Sequence, residues 1–497
     1  MPTLSPSRSA RPRIGPAATR RWLCRLVCCA ALAPAPALAK TPATANTPTA
    51  ANTPTVRPAK GAVDAASRIV VGLATEIAAS VASLRGLRFR WPVEVGVHDD
   101  ASLRAFAGAE LERDGGRAWR AAQSAAWIRL GLLPPGTDLL AETLSLLQAQ
   151  VAGFYVPGKR ALRIARGQVP VGPQFPNPLH LLTGTPEEKL RFVMAHELVH
   201  ALGDQRWDLK RLTAERHGET DVELAIAGLL EGDATIAGLA WAMREREPAF
   251  DLAGLFVGGD AVTWLLEAAI RLARRGLLPD GGGLDRAPAA LAETLLFPYV
   301  AGSRLVLLAG SGLRRADGRR FAPGFAGVDA LYDDPPRSTE QVLHPERLLQ
   351  QRDDPVRLSP KLPARLLPRG ARLLHRDVLG ELLLRTLLRR RLPEPLADAA
   401  ADGWDGDVLV HYGRPGDPAE QSVLLWLVVF DSGADAAEAL RALQRLYDPP
   451  GDAHLLRLRD ALVLVRGPDA AQCLRLAQAA LAAQRRRPAS RVSVRRR

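Results

Sequence analysis

Residues 191–205 read RFVMAHELVHALGDQ, a largely apolar run that carries two histidines and a glutamate. Just upstream, Thr185 and Glu188 form the pattern of a capping box around Pro186, a residue suited to the first position of a helix. Gly203 is a typical helix terminator. The sequence therefore predicts a helix from Pro186 to about Gly203, and its apolar character predicts that this helix is buried inside its domain.

His196 and His200 are four residues apart, so a helix projects both side chains from one face, close enough to bind one metal ion. Glu197 lies beside them, where a general base can accept a proton from metal-activated water without occupying a coordination position. The spacing His-Glu-x-x-His is typical of zinc hydrolases. The alternative is a buried helix whose two histidines are satisfied by hydrogen bonds.

Two arrangements could supply a third zinc ligand. In the first, His-Glu-x-x-His-x-x-Gly-x-x-His/Asp, the ligand follows a glycine turn. Gly203 fits this pattern, but Arg206 occupies the ligand position, and a guanidinium does not bind zinc. Asp204 and Asp208 lie near that position without matching it. The second arrangement takes a glutamate from a following helix.

Such a helix is predicted for residues 221–243, DVELAIAGLLEGDATIAGLAWAM, whose interior is apolar except for Glu231 and Asp233. A buried carboxylate without a cation is costly and zinc removes that cost, so we predict Glu231 as the third ligand. Asp233 is expected to orient a neighbouring group, and Asp204 to hold a ligand imidazole. For both aspartates, a plain polar or capping role is the alternative.

Together these residues resemble the gluzincins, the thermolysin-like clan of zinc metallopeptidases, and more narrowly a group of exported prokaryotic metallopeptidase-like proteins. The resemblance implies zinc on His196, His200 and Glu231, with Glu197 activating the water. It also implies that a strand within residues 154–164 aligns a peptide substrate by edge pairing. The matching segments are GFYVPGKRALRI, AHELVHALGDQRWDL, LLEGDAT, LFPYVAGSRLV, PPRSTEQVLHPE and DGWDGDVLVHY.

The same resemblance implies an oxyanion-stabilising His or Tyr from the following helical region, and Tyr299 and His344 are the candidates. Each has a structural alternative. Tyr299 could pack with its hydroxyl satisfied, and His344 could end a short helix that begins at Ser338 and is stopped by Pro345. The sequence leaves this choice open.

The positive charge of the chain is concentrated at its two ends. The formal net charge is +13, but residues 1–40 carry seven basic side chains and residues 485–497 carry seven arginines, in both cases without an acid. Removing these fourteen charges leaves about −1 for residues 41–484. We therefore expect no nucleic-acid partner. The basic tail is expected to be solvated, with weak contact to an anionic envelope surface as the alternative.

The N-terminus has the form of an export signal, with arginines up to Arg25, an apolar stretch and the small-residue site Ala37-Leu38-Ala39. Weak matches to twin-arginine and lipoprotein signals leave the export route open. Three of the four cysteines lie in this leader, so a mature chain keeps only Cys473 and forms no internal disulfide. No other apolar run approaches the roughly 20 residues that span a bilayer. We expect a periplasmic or secreted protein without a transmembrane span.

Composition and pattern divide the chain into six segments. Residues 41–60 repeat Thr-Pro and Ala-Asn-Thr with almost no bulky apolar side chains, which predicts a disordered linker. GFYV and ALRI, on either side of Pro157-Gly158-Lys159, predict a β-hairpin, and a helix is predicted through residues 103–111. In residues 372–484, a helix, strands near 407–413, 422–430 and 460–466, and helices at 434–447 and 468–484 predict a two-layer α/β domain, ferredoxin-like in one interpretation. The segments are a signal peptide (1–39), the linker (40–61), an α/β lead-in module (62–135), a gluzincin-like catalytic domain (136–360), the C-terminal domain (372–484) and a basic disordered tail (485–497).

The predicted fold class is α+β, with a mainly helical zinc-metallopeptidase domain, a small substrate-side sheet and the C-terminal two-layer α/β domain. The predicted function is an exported peptidase that binds one zinc ion and hydrolyses a peptide or protein substrate, with Glu197 as general base. One alternative is a non-catalytic envelope binding or assembly protein whose zinc is structural and therefore closed by four protein ligands. Another is a zinc hydrolase of a non-peptide or cell-wall amide.

Overall fold

A computed structural model describes residues 55–484 of the chain, apart from 62–63, 100, 103–104, 107, 110–115, 151, 171–184, 215–218, 275–285, 360–361, 415, 417–420 and 450. The predicted signal peptide, most of the predicted linker and the basic tail lie outside the described residues. So does part of the helix predicted near residues 103–111.

The first sheet has four strands, β1 Val56–Pro58, β2 Val93–His98, β3 Gly153–Val156 and β4 Ala161–Ala165, in the order β1-β2-β4-β3. Strands β1, β2 and β4 are parallel, and β3 pairs antiparallel with β4 as the edge strand. The predicted hairpin is therefore present. Two predicted boundaries differ, because β1 lies within the predicted linker and β2, from the predicted lead-in module, pairs with β4 of the predicted catalytic domain.

Twelve helices are described between residues 65 and 349. They are α1 Ala65–Arg85, α2 Gly116–Leu130, α3 Leu139–Gln150, α4 Pro186–Trp207, α5 Leu209–Ala214, α6 Thr220–Arg246, α7 Leu252–Val257, α8 Gly259–Arg274, α9 Ala289–Gly310, α10 Phe325–Asp333, α11 Thr339–Leu343 and α12 Glu346–Leu349. The first hydrophobic core joins the four-stranded sheet to α1 and α4, and these helices to α6 and α9.

Helix α4 begins as the sequence predicts. The Thr185 hydroxyl accepts a hydrogen bond from Glu188 N at 3.2 Å, and the Glu188 carboxylate accepts one from Thr185 N at 2.8 Å. The predicted end is wrong, because the helix continues through Gly203 to Trp207 and stops at Asp208, which adopts a left-handed conformation with φ 53°. Gly203 lies against Leu209 and is an interior helical residue.

Helices α6 and α9 approach each other unusually closely, and glycines make this possible. A Cβ on Gly302 would overlap the backbone of Gly228, and a Cβ on Gly232 would overlap the backbone of Gly302. Farther along α6, Gly238 lies against the backbone of His196 in α4. Glycine at these positions lets α6 pack closely between α4 and α9.

The second sheet is antiparallel and has five strands in the order β5-β6-β7-β9-β8. Its strands are β5 Arg372–Asp377, β6 Trp404–Gly413, β7 Val423–Phe430, β8 Ala453–Leu458 and β9 Ala461–Arg466. The helices of this part of the chain are α13 Gly380–Leu388, α14 Glu394–Ala401, α15 Gly433–Leu446 and α16 Ala470–Gln484. Strands β5 and β8 were not predicted.

The C-terminal domain has three layers, so the two-layer prediction is wrong. Strand β7 is buried along its whole length, with Leu424 and Trp426 facing one core and Leu425 and Leu427 the other. Helices α13, α14 and α15 pack on the side of the sheet that Leu424 and Trp426 face, and α16 packs on the side that Leu425 and Leu427 face. A strand that is apolar on both faces requires cover on both faces, and VLLWLVVF is such a strand.

Helix α2 belongs to this second part of the molecule. Its Trp127 and Leu130 lie in the same core as Leu424 and Trp426 of β7. Residues 62–135, predicted as one lead-in module, are thus shared between two cores, with α1 and β2 in the first and α2 in the second.

Three helices, α1, α6 and α9, are long and apolar enough to cross a membrane by length and composition, contrary to the prediction that no such run exists. In the structure, 89% of the apolar window of α6 is buried inside the protein, against 56% for α9 and 39% for α1. The apolar length of α6 therefore serves packing within the first core.

The glycine contact between α6 and α9 predicts a specific cost. We expect Gly302→Ala to lower the free energy of unfolding by about 2 kcal/mol, because its Cβ must push two helix backbones apart. Gly72→Ala in α1 is the matched control, since a Cβ there meets open space and alanine favours a helix by up to about 1 kcal/mol. Urea unfolding measures both. Equal effects of the two substitutions would contradict the packing described.

Candidate metal centre

His196, His200 and Glu231 form the candidate metal centre, called the metal centre below, a group whose side chains meet at one point and could hold a metal ion. Glu231 Oε2 lies 3.1 Å from His196 Nε2 and 3.4 Å from His200 Nε2, and the two Nε2 atoms are 3.1 Å apart. This is the group of potential metal ligands found among the described residues, and it could hold a metal ion. The sequence-predicted ligand set is thus brought together, two ligands from α4 and one from α6.

The packing around the imidazoles fixes their positions. His196 is fully buried, with its ring 6.4 Å from that of Phe192 and 6.3 Å from that of Tyr299. His200 is the outermost ligand, with 12% of its side chain exposed against 4% for Glu231. Among the described residues, the centre is therefore enclosed on the His196 side and most exposed on the His200 side.

Charge is unevenly distributed within the centre. Burial lowers the pKa of His196. Burial would also lower the pKa of His200, but the Glu231 carboxylate outweighs burial and raises it to about 9. For Glu231, burial would raise the pKa, and the His200 charge with hydrogen bonds from both imidazoles lowers it to about 2. The two shifts have the directions of an ion pair between His200 and Glu231, and a metal cation bound by these groups would compete with the proton.

Glu197 lies beside the ligands and is held by the edge strand of the first sheet. Its Oε2 accepts a hydrogen bond from Tyr155 N in β3 at 2.6 Å. Its other oxygen, Oε1, is buried and has no hydrogen-bond partner in the part of the chain that the structure describes. Burial raises the pKa of Glu197 to about 8, although the nearby His200 charge acts to lower it. One oxygen is anchored and the other is available to a reacting molecule.

Asp204 does not hold a ligand imidazole as predicted. Its carboxylate accepts hydrogen bonds from the Tyr155 hydroxyl at 2.9 Å, Gly158 N at 3.0 Å and Leu209 N at 3.1 Å. Among the described residues, no group bonds to Nδ1 of His196. Asp204 instead ties the end of α4 to β3 and the following turn, and thereby positions the strand that holds Glu197.

Asp233, predicted to orient a neighbouring group, is paired with an arginine from α1. Arg85 Nε and Nη2 donate to its two carboxylate oxygens at 2.9 and 3.0 Å, and the Tyr332 hydroxyl donates at 2.8 Å. Neither side chain of the ion pair is more than 1% exposed. Arg85 also pairs with Asp329 at 2.6 Å. This buried network fixes α6 two residues beyond Glu231, between α1 and α10.

The structure separates the two predicted oxyanion donors. Tyr299 is buried in α9, and its ring faces His196 at the metal centre. His344 ends α11, whose first turn is capped by Ser338, as in the structural alternative from the sequence. Its Nε2 lies 3.0 Å from Glu381 of α13 rather than beside a metal ligand. Only Tyr299 remains adjacent to the centre.

Sequence reasoning missed Arg85 and the Tyr155 backbone amide. Arg85 is the last residue of a helix and contacts Asp233 from 148 positions away in the chain, so no local spacing reveals the pair. The one local indication of a buried role for Arg85 is its position at the end of the apolar, buried face of α1. A backbone amide carries no residue signature at all.

Comparison with known proteins adds one finding. A family model described as "Domain of unknown function (DUF8575)" matches residues 370–482, which correspond to the C-terminal domain. Neither a curated protein nor a solved structure matches the chain. The matched residues do not include the metal centre.

The buried pair predicts a large effect of a small substitution. We expect Asp233→Asn to lower the free energy of unfolding by about 3 kcal/mol, because the buried Arg85 charge loses its bidentate partner. Glu245→Gln, on the same helix, is the control. It removes a half-exposed ion pair with Arg191, which is worth at most about 1 kcal/mol. Urea unfolding measures the free energy of unfolding of both variants. If Asp233→Asn lowers it no more than Glu245→Gln does, the buried network is contradicted.

Proposed function

We propose that this protein is a zinc-dependent metallopeptidase of the gluzincin type, with His196, His200 and Glu231 as zinc ligands and Glu197 as general base. The observation that carries the proposal is the convergence of these four side chains. Tetrahedral zinc bonds of about 2.0–2.1 Å place neighbouring ligand atoms roughly 3.3–3.4 Å apart. The three ligand atoms lie 3.1–3.4 Å apart. Imidazole nitrogens with one carboxylate oxygen are also a donor set that suits zinc.

The number of ligands favours catalysis over a structural role for the metal. Structural zinc sites are closed by four protein ligands, whereas catalytic sites keep a position for water or substrate. Within the described ranges, the group contains three ligands, and its His200 side reaches solvent. This supports an enzyme rather than a binding or assembly protein built on the same scaffold.

The residues of the chain have separate roles in the proposed reaction. Bound zinc would polarise the scissile carbonyl and acidify water. Glu197 Oε1 accepts the proton of the attacking water and delivers it to the leaving amine. The Tyr155 amide holds Glu197 Oε2, so the carboxylate presents one defined oxygen to the water. Tyr299, whose ring lies 6.3 Å from that of His196, is the proposed donor of a hydrogen bond to the developing oxyanion.

Strand β3 supports a peptide as the substrate class. It is the edge strand of its sheet, and its Tyr155 amide points away from β4 toward the base. An extended peptide that pairs with this edge would lie along the strand with its backbone beside Glu197. A non-peptide amide would gain nothing from such an edge. Together with the export signal predicted in residues 1–39, this supports an exported peptidase that acts on peptide or protein substrates.

Glu197→Gln separates catalysis from metal binding. A glutamine oxygen still accepts the Tyr155 hydrogen bond, but the side chain no longer accepts a proton. We expect peptidase activity to fall by at least about a hundredfold while the zinc content stays unchanged. Activity on a library of unstructured peptides and metal analysis measure the two properties. Full activity in this variant would falsify the mechanism.

Glu231→Ala tests the third ligand. We expect the purified wild-type protein to hold about one zinc per chain and the variant to lose most of it, since two imidazoles alone bind weakly. Glu245→Ala is the control, because this glutamate lies on the same helix and pairs with Arg191. Metal analysis after dialysis gives the answer. Zinc retained by Glu231→Ala at the wild-type level would rule Glu231 out as a ligand.

A further inference from the structure

Helix α6, which carries Glu231, receives its N-terminal cap from the C-terminal domain. The preceding residue, Glu219, makes no side-chain capping bond. Instead, the carboxylate of Asp377, at the end of β5, accepts hydrogen bonds from Thr220 N at 3.0 Å and from the Thr220 hydroxyl at 2.9 Å. The next amide, Asp221 N, donates to Val378 O at 2.9 Å. Two of the amides that a helix start leaves unpaired are therefore satisfied from a segment more than 150 residues away.

The carboxylate of Asp377 also suits the position electrostatically. It is fully buried and faces the positive end of the α6 dipole. Val378 N and Trp127 Nε1 donate to it as well, at 2.9 and 3.4 Å. Asp377 is thus bonded by α6, by α2 and by its own loop.

The first turn of α6 has two further contacts, one with Thr339 of α11 and one with Gly380 of the same loop. Asp221 is buried, and its Oδ1 accepts Thr339 N at 2.8 Å and the Thr339 hydroxyl at 2.6 Å. Gly380, with φ +77°, lies against this carboxylate so closely that any Cβ would overlap it. Only glycine allows both the backbone conformation and the contact.

The loop that makes these contacts is fixed to the second sheet. The carboxylate of Asp407 in β6 accepts hydrogen bonds from Leu379 N at 3.0 Å, Gly380 N at 3.4 Å and Trp426 Nε1 at 2.6 Å. Residues 377–380 are therefore held on one side by β6 and β7 and contact α6 on the other. Displacement of the sheet would displace the start of the metal-binding helix.

We infer that the C-terminal domain is a positioning part of the metal centre, in which Asp377 caps the helix that supplies Glu231. The helical order at the start of α6 is consequently coupled to the folded state of the C-terminal domain, because the cap forms only when both are in place. The consequence for zinc rests on the proposed function, whereas the cap itself does not. The family match, which covers residues 370–482, contains this positioning residue and none of the metal ligands.

Hydrogen exchange measured by mass spectrometry on the full chain tests the cap without metal. We expect Asp377→Ala to accelerate exchange in peptides from residues 220–231 by roughly fivefold to tenfold. Thr220→Val removes the hydroxyl bond from the helix side and is expected to act in the same direction; it replaces Asp377→Ala should that variant fail to fold. Unchanged exchange in α6 overturns the inference.

Ser432→Ala is the matched control, because Ser432 caps α15 in the same domain through Ala434 N and Asp435 N and does not touch α6. It should accelerate exchange at the start of α15 and leave α6 at the wild-type rate. Equal acceleration of α6 by Ser432→Ala would reduce the effect to general destabilisation of the domain and overturn the inference.

Zinc addition provides the second arm of the experiment. In the wild type, we expect zinc to slow exchange in β5, β6 and β7 as well as in α4 and α6, and in Asp377→Ala to slow it in α4 and α6 alone. Slowing confined to α4 and α6 in the wild type contradicts the coupling. If zinc slows exchange nowhere, the proposed zinc site fails, and the metal-free comparison alone still decides the cap.

Discussion

The buried carboxylate of Glu231 is the constraint on which the rest of the arrangement depends. A charge placed in an apolar helix interior needs a compensating charge nearby, and the two imidazoles of α4 converge on it. That convergence holds only if α6 keeps its position along and around its axis. The glycine contact with α9 fixes its middle, Arg85 fixes Asp233 beyond the ligand, and Asp377 fixes its first turn.

Features set by local sequence could be predicted. The capping box of α4, the hairpin of β3 and β4 and the His-Glu-x-x-His face depend on neighbouring residues, and each is present as predicted. The position of Glu231 beside the two imidazoles could be predicted as well, because a buried acid in an apolar helix needs a positive charge nearby. The contact between His344 and Glu381 could not be predicted, because Glu381 lies in the C-terminal domain.

The features that could not be predicted are those decided by distant parts of the chain. Gly203 is a helix terminator in most contexts, but here it packs against Leu209 and the helix continues. Strand β7 was predicted, but the helices that cover its two faces could not be, because they lie before and after it in the chain. The Arg85–Asp233 pair and the Asp377 cap join segments 148 and 157 residues apart, where sequence spacing carries no information.

The central claim is that His196, His200 and Glu231 bind a single zinc ion through three protein atoms. Anomalous diffraction from zinc-loaded crystals, recorded on both sides of the zinc absorption edge, tests it most directly. We predict one strong peak about 2.0–2.2 Å from Nε2 of His196, Nε2 of His200 and a carboxylate oxygen of Glu231, with no fourth protein ligand. A peak elsewhere, or a fourth protein atom in the coordination sphere, would contradict the account.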